Sequence, residues 1–463
     1  MQLRPLEIRE LPKPLSLRKL IGPSFILLGM GLGSGELILW PYLTSHFGMG
    51  IIWGALAGIS LQFFTNMEIE RYALVHGESI FVGFSRKLKL LPYWFILSTF
   101  IPWIWPGIAA ASAKVFGTLF GIQDSHFITI GLLLLVGVIL SFGKYLYKTQ
   151  EAFQKYVTII GVALFSGLTF YLAKGDHWIS LAQGIVGIGD GYRFLPVGIP
   201  IASFLAALAY AGAGGNLNLA QSAYIREKGY GMGKYTGKIK GLLHGRQEDI
   251  KITGSTFETT PENIKIFKSW WKNINIEHLL VFWLTGAITM ILLGLLSFIT
   301  NYGKGGISDG IDFLFLEAHA VGSLIAPFVG TLFLAVAAVT LFGTQLGVMD
   351  ATSRIISENL ILGSEKLEEN SIPKVYYIVL WAQILAGIII ISLGLNQPLQ
   401  LITISAVLNA FAMFVHVGLT LWTNKTLLAK PLRPNIIRTL MMSLAFIFYG
   451  GFSIYTIFNQ FFK

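Results

Sequence analysis

What most constrains this chain is the recurrence of charge-poor apolar stretches, each long enough to cross a bilayer, along all 463 residues. Hydrocarbon offers no water to unpaired backbone groups, and runs of about 20 apolar residues satisfy them as helices. Eleven such spans are predicted, at roughly 20–43, 47–70, 91–119, 126–143, 155–173, 195–225, 278–300, 321–350, 374–395, 397–424 and 437–461. Only 13% of the residues are charged, against about 25% in a soluble domain. The expected fold class is therefore all-α and integral to the membrane, built as one polytopic domain. The basic, proline-containing first twenty residues show no pattern of a removable signal peptide. With no cysteine, disulfides, thiolate metal sites and iron–sulfur clusters are excluded.

The net charge of +10 is explained by where it lies. Loops on the side of the N-terminus carry 29 of the 34 Lys and Arg residues and the opposite loops carry 4, with Lys114 inside a span. Omitting the ten in the long 226–275 loop still leaves 19 against 4. Positive residues favour the cytoplasmic face, so the N-terminus (1–19) is expected inside and the C-terminus outside, in the cell membrane. The basic excess is thus a topology signal and a contact with anionic lipid, with no nucleic-acid partner and no obligate protein partner expected. In the 226–275 loop, "TTPENIKIFKSWWKN" predicts a capped helix whose Ile264, Phe267, Trp270 and Trp271 lie on the inner membrane surface. "GYGMGK" lacks the spacing of a phosphate loop.

The first span contains "GMGLGSGELILWP", Gly29 to Pro41: four glycines on alternate positions, then a carboxylate. The sixth contains "AYAGAGGNLNLAQS", Ala209 to Ser222. Glycine is a poor helix residue and a charge in hydrocarbon is costly. Two glycine-interrupted segments five spans apart are the pattern of an inverted repeat, five helices plus five (20–173 and 195–424), with an eleventh helix at 437–461. Unwound segments expose carbonyl oxygens to a cation and free N–H groups to an anion. Small-xxx-small packing at Gly29/Gly33 and Gly31/Gly35 is the competing explanation.

"GPSFILLGMGLGSGE" and "AGGNLNLAQS" resemble the first and sixth helices of the Nramp transporters, especially their diverged Nramp-related branch. The resemblance covers most of the chain. It implies the leucine-transporter-type fold of the amino acid–polyamine–cation superfamily, with helices 1 and 6 broken, and secondary transport, usually of divalent metal with protons. Where the family has Asp-Pro-Gly-Asn, this chain has Gly33-Ser34-Gly35-Glu36. Where it has Met-Pro-His-Asn, Ala213, Gly214, Gly215 and Asn216 stand. Loss of the thioether and the imidazole leaves a set of oxygens, which suits hard ions such as Mg²⁺ or Mn²⁺. The expected substrate-binding or metal-binding residues are Gly31, Gly33, Ser34, Glu36, Ala211, Ala213 and Asn216.

Further polar residues are candidates for the pathway: Asn218 and Gln221 after the second break, Gln345 beside Thr344 in the eighth span, and Asn409 and His416 in the tenth. Helix–helix hydrogen bonding explains the last two equally well. The third span holds Lys114 and no acid, and Gly215 replaces a histidine, so weak or absent proton coupling is expected. Lys114 is expected to snorkel to water, Asp350 and Arg354 to pair on one helix face, and Glu68 and Glu70 to be interfacial. The expected function is a secondary transporter of divalent cations by alternating access; the alternative is an amino-acid or other small organic solute carrier of the same fold. No enzyme motif is present. No cofactor is expected, and a transported divalent cation is the expected bound ligand.

Overall fold

The computed structural model describes residues 3–20, 22–142, 146–236, 251–304 and 310–462. Residues 237–250 of the long loop lie outside that set. Among the described residues, nine helices are long and apolar enough to cross a membrane. The two remaining predicted spans are shorter: the fourth is His126–Phe142, and the sixth is split into Ile201–Ala209 and Leu217–Lys228. The third bends between Leu91–Trp103 and Gly107–Leu119, at Pro106, which has no N–H to continue the ladder. The eighth begins at Pro327, because Asp312–Leu324 forms a separate helix before it.

Burial separates the centre from the rim. The apolar window of the first span (Pro23–Phe47) is 100% buried, whereas those of the fifth (Gln150–Leu172) and eleventh (Ile436–Thr456) are only 28% buried. Spans five, six, seven and eight surround span one. A helix apolar on all sides is a core helix. This one, glycine-rich and carrying a carboxylate, is the least suited of the set to face lipid.

The loop helix begins as expected, with the Thr260 hydroxyl accepting from the Asn263 N–H and Pro261 in the first turn. It does not lie on the membrane surface as a separate element. It runs without interruption into span seven as Pro261–Asn301, and Phe267 and Trp270 are buried within the protein. The N-terminal segment covers it. Trp270 Nε1 donates to the Pro12 carbonyl at 2.7 Å and Asn273 Nδ2 to that of Leu15 at 3.2 Å. Upstream, Glu7–Ile8 pairs in parallel with Ser255–Thr256. An apolar stripe that suits lipid suits a protein strap equally, and composition does not distinguish them.

Both acids expected at the interface are interior. Glu68 is 0% and Glu70 1% exposed. Glu68 pairs with Arg71 at 2.8 Å and Arg438 at 3.4 Å, tying span two to span eleven. Asp350 and Arg354 pair at 2.9 Å as expected, inside a larger buried network with Glu227, Tyr224 and Tyr376. Lys114 does not reach for water alone; its ammonium lies 2.8 Å from Asp312 Oδ1.

Candidate functional site

The two glycine-rich segments meet. A Cβ on Gly31 would come within 2.5 Å of the Gly212 carbonyl oxygen, and one on Gly35 would overlap that of Tyr210. Backbones this close require the absence of side chains on span one. The sixth span is fully interrupted between Ala209 and Leu217, where Gly212, Gly214 and Gly215 take φ of +129°, +74° and +55°. Gln62 of span two bridges the gap. Its Oε1 accepts from the Gly214 N–H at 3.1 Å and its Nε2 donates to the Ala209 carbonyl at 3.0 Å. One amide thus replaces two helical hydrogen bonds that the break forfeits.

The break in span one takes another form. Leu32–Leu39 stays helical but widens to π geometry, so the Trp40 N–H reaches the Gly35 carbonyl. The cause sits on span eight. Thr344 Oγ1 accepts from the Gly33 N–H at 2.9 Å and donates to the Gly29 carbonyl at 2.7 Å, inserting itself into the ladder. A Cβ at Gly33 would lie 2.5 Å from that hydroxyl oxygen, so the insertion needs glycine there.

Glu36 lies within the widened segment, 0% exposed, and neither carboxylate oxygen has a hydrogen-bond partner. Gly286 of span seven makes room for it: a Cβ there would stand 3.3 Å from Glu36 Oε1, with Ile59 and Leu28 as the other neighbours. An unpaired negative charge in such surroundings costs several kcal/mol or more, so this group holds a proton or a cation. Ser34 is likewise wholly buried with its hydroxyl unpaired.

The predicted residues fall into groups. Gly31 meets the sixth-span break, Gly33 meets Thr344, and Glu36 faces Gly286 of span seven. Ala211 packs on Gly58 of span two, and Ala213 is buried. Asn216 is engaged elsewhere: its Nδ2 donates to Ser98 Oγ at 2.8 Å and Thr99 Oγ1 at 2.9 Å, and its Oδ1 lies 3.3 Å from His416 Nδ1. Asn409 donates to the Tyr210 hydroxyl at 3.0 Å, and that hydroxyl is 2.6 Å from Ser405 Oγ. Gln345 is buried in span eight. Asn218 is buried with both amide atoms unpaired, and Gln221 donates to Glu70 Oε1 at 2.7 Å. Gln62 escaped the sequence reading, although Gln62, Asn66 and Glu70 recur every four residues and therefore share a helix face.

The architecture matches solved transporters. A variant of the Eremococcus coleocola manganese transporter is similar with a TM-score of 0.70 at 14% identity, over 98% of this chain and 90% of that one. The same transporter in complex with an aromatic bis-isothiourea substituted compound gives 0.65 at 14% identity over the same shares. MhsT in complex with L-phenylalanine gives 0.54 at 12% identity, over 95% of this chain and 98% of that one. No protein-family model and no curated protein matches the sequence. The likeness is one of architecture, and by it this chain has the leucine-transporter-type fold of membrane transporters.

Proposed function

We propose that this chain is a secondary transporter of hard divalent cations, working by alternating access, with its N-terminus in the cytoplasm of a cell whose plasma membrane it spans. The observation that carries the reading is Glu36: a carboxylate buried in the central helix, with no hydrogen bond to either oxygen. A divalent ion would neutralise it. The Ser34 hydroxyl and carbonyls near Gly31, Gly33, Ala211 and Ala213 are oxygen donors of the class that hard ions take, with water completing the shell. The similarity in fold to a manganese transporter supports the same class of cargo.

The organic-solute reading has its own support. Fold similarity extends to a protein holding L-phenylalanine, and a new helix begins after the sixth-span break, the kind of terminus that binds a carboxylate. Here, however, the N–H groups of Leu217, Asn218 and Leu219 are taken by the carbonyls of Gly214, Gly215 and Asn216. Calorimetry separates the two. Purified protein is titrated with Mg²⁺, Mn²⁺, Ca²⁺ and a panel of amino acids, and so is Glu36→Gln, which keeps the shape and removes the charge. Divalent binding should weaken at least about tenfold, roughly 1.4 kcal/mol. Unchanged divalent affinity in a well-folded Glu36→Gln protein sinks the cation assignment. Heat from an amino acid in its place would establish the alternative.

A further inference from the structure

A second set of unpaired oxygens lies away from Glu36, toward the side of the basic loops. The register of span two on the second half of span six is fixed at three levels: Gln62 at Gly214, Glu70 at Gln221, and Gly77 against Met232. Asn66 therefore stands between the first two levels, alongside Asn218. Both asparagines are wholly buried, and none of their four side-chain amide atoms has a partner. One turn further on, Gln221 gives its Nε2 to Glu70, which leaves its own Oε1 beside that carboxylate and unpaired.

The next neighbours come from spans one and seven. His278 Nδ1 is 3.4 Å from Glu70 Oε1 and 2.8 Å from Ser24 Oγ, and Ser24 Oγ donates to Glu277 Oε2 at 2.5 Å. Glu277 Oε1 has no partner. Among the described residues neither Glu70 nor Glu277 forms an ion pair with Lys or Arg. Two buried carboxyl groups so placed stay together only with a proton or a cation among them, and the unpaired amide oxygens one turn away are donors for a hard ion. Buried polar atoms of native proteins are rarely left unpaired, and several gathered in one place call for water or an ion among them.

We propose that Glu70 and Glu277, with the amide oxygens of Asn66, Asn218 and Gln221, form a second site for a hard divalent cation, between Glu36 and the basic side. The proposal rests on the reading of Glu36 as the first site. Ser24 and Gln221 hold the two carboxylates by hydrogen bonds in this conformer, and among the described residues no three acidic or histidine side chains converge at ligating distance. Loading therefore needs these clasps to open. Ser24 sits in the first turn of span one, so movement of that end of the helix would release Glu277.

Equilibrium binding of Mn²⁺ to the purified full chain tests this. Wild type should hold two classes of ion. Glu70→Gln and Glu277→Gln should each weaken one class at least tenfold and keep the other, which Glu36→Gln removes. Asn66→Leu gives up no hydrogen bond, so it should fold normally and weaken the same class as Glu70→Gln. Glu68→Gln, which removes a buried acid already paired with two arginines, should leave both classes intact. A single class of ion that survives Glu70→Gln and Glu277→Gln unchanged overturns the second site and leaves the first standing. Equal losses in Glu68→Gln and Glu70→Gln also overturn it, since burial of charge alone would then be the cause. If Glu36→Gln alone changes nothing, the first reading fails, and the second is judged by Glu70→Gln and Asn66→Leu.

Discussion

Thr344 shows how one side chain can decide the geometry of a helix to which it does not belong. Its hydroxyl occupies the place of a Gly33-to-Gly29 backbone hydrogen bond, and the turn around it widens. Thr344→Val keeps the shape and strips the hydroxyl, leaving one buried N–H and one buried carbonyl unpaired. Each such group costs about 1–3 kcal/mol, less whatever the ladder recovers by closing. Thermal unfolding in detergent should show a clear loss of stability for Thr344→Val and near-complete recovery for Thr344→Ser. If valine is as stable as serine, the hydroxyl is not what holds the widened turn. The serine control matters, because a packing role alone would be better served by valine's methyl groups.

At the scale of elements, the strap formed by the N-terminal segment is the least expected feature. Trp270→Ala removes the anchor under Pro12 and should free residues 3–15, so limited proteolysis there should speed up severalfold while the spans stay protected. Unchanged cleavage would mean that the remaining contacts of the strap, the pairing of Glu7–Ile8 with Ser255–Thr256 and the bonds of Tyr235 to Glu10 and of Asn273 to Leu15, hold it without Trp270. The spans were legible because length and apolarity are local properties, and so was the sixth-span break, because three left-handed glycines announce it. The form of the first break was not legible. Gly29 to Gly35 permit a kink, a coil or close packing, and the choice is made by a hydroxyl 311 residues away from Gly33. Glu70 and Glu277 were hidden for a related reason. Acids near the ends of spans look like interfacial residues until neighbouring helices are seen to cover them. Asn216 adds what the sequence could not show: its place in the break suggests a ligand, and in this structure its amide also joins spans three and ten.

For the molecule as a whole, the charge asymmetry predicts an orientation that single cysteines can read against a cysteine-free background. Val197→Cys, at a fully exposed position beyond the fifth span, should react with an impermeant thiol reagent in intact cells. Thr259→Cys, at the start of the strap-covered helix, should react only after permeabilisation. The reverse result would turn the whole assembly over. The central position of span one also bears on how the chain is made. It leaves the ribosome before Tyr210, Gly286 and Thr344, which surround it and follow by some 170 to 310 residues. Until they arrive, lipid is its neighbour, and lipid tolerates no unpaired backbone group. The nascent span must therefore enter as a regular α-helix with Glu36 protonated, and only later open into its final shape around the hydroxyl of span eight. A fragment ending before Pro327 should hold that earlier form. A cysteine replacing Ile38, wholly buried in the complete chain, should then react with a lipid-soluble maleimide in the fragment and be protected in the full-length protein. Biogenesis of this fold would thus include a late remodelling of its central helix.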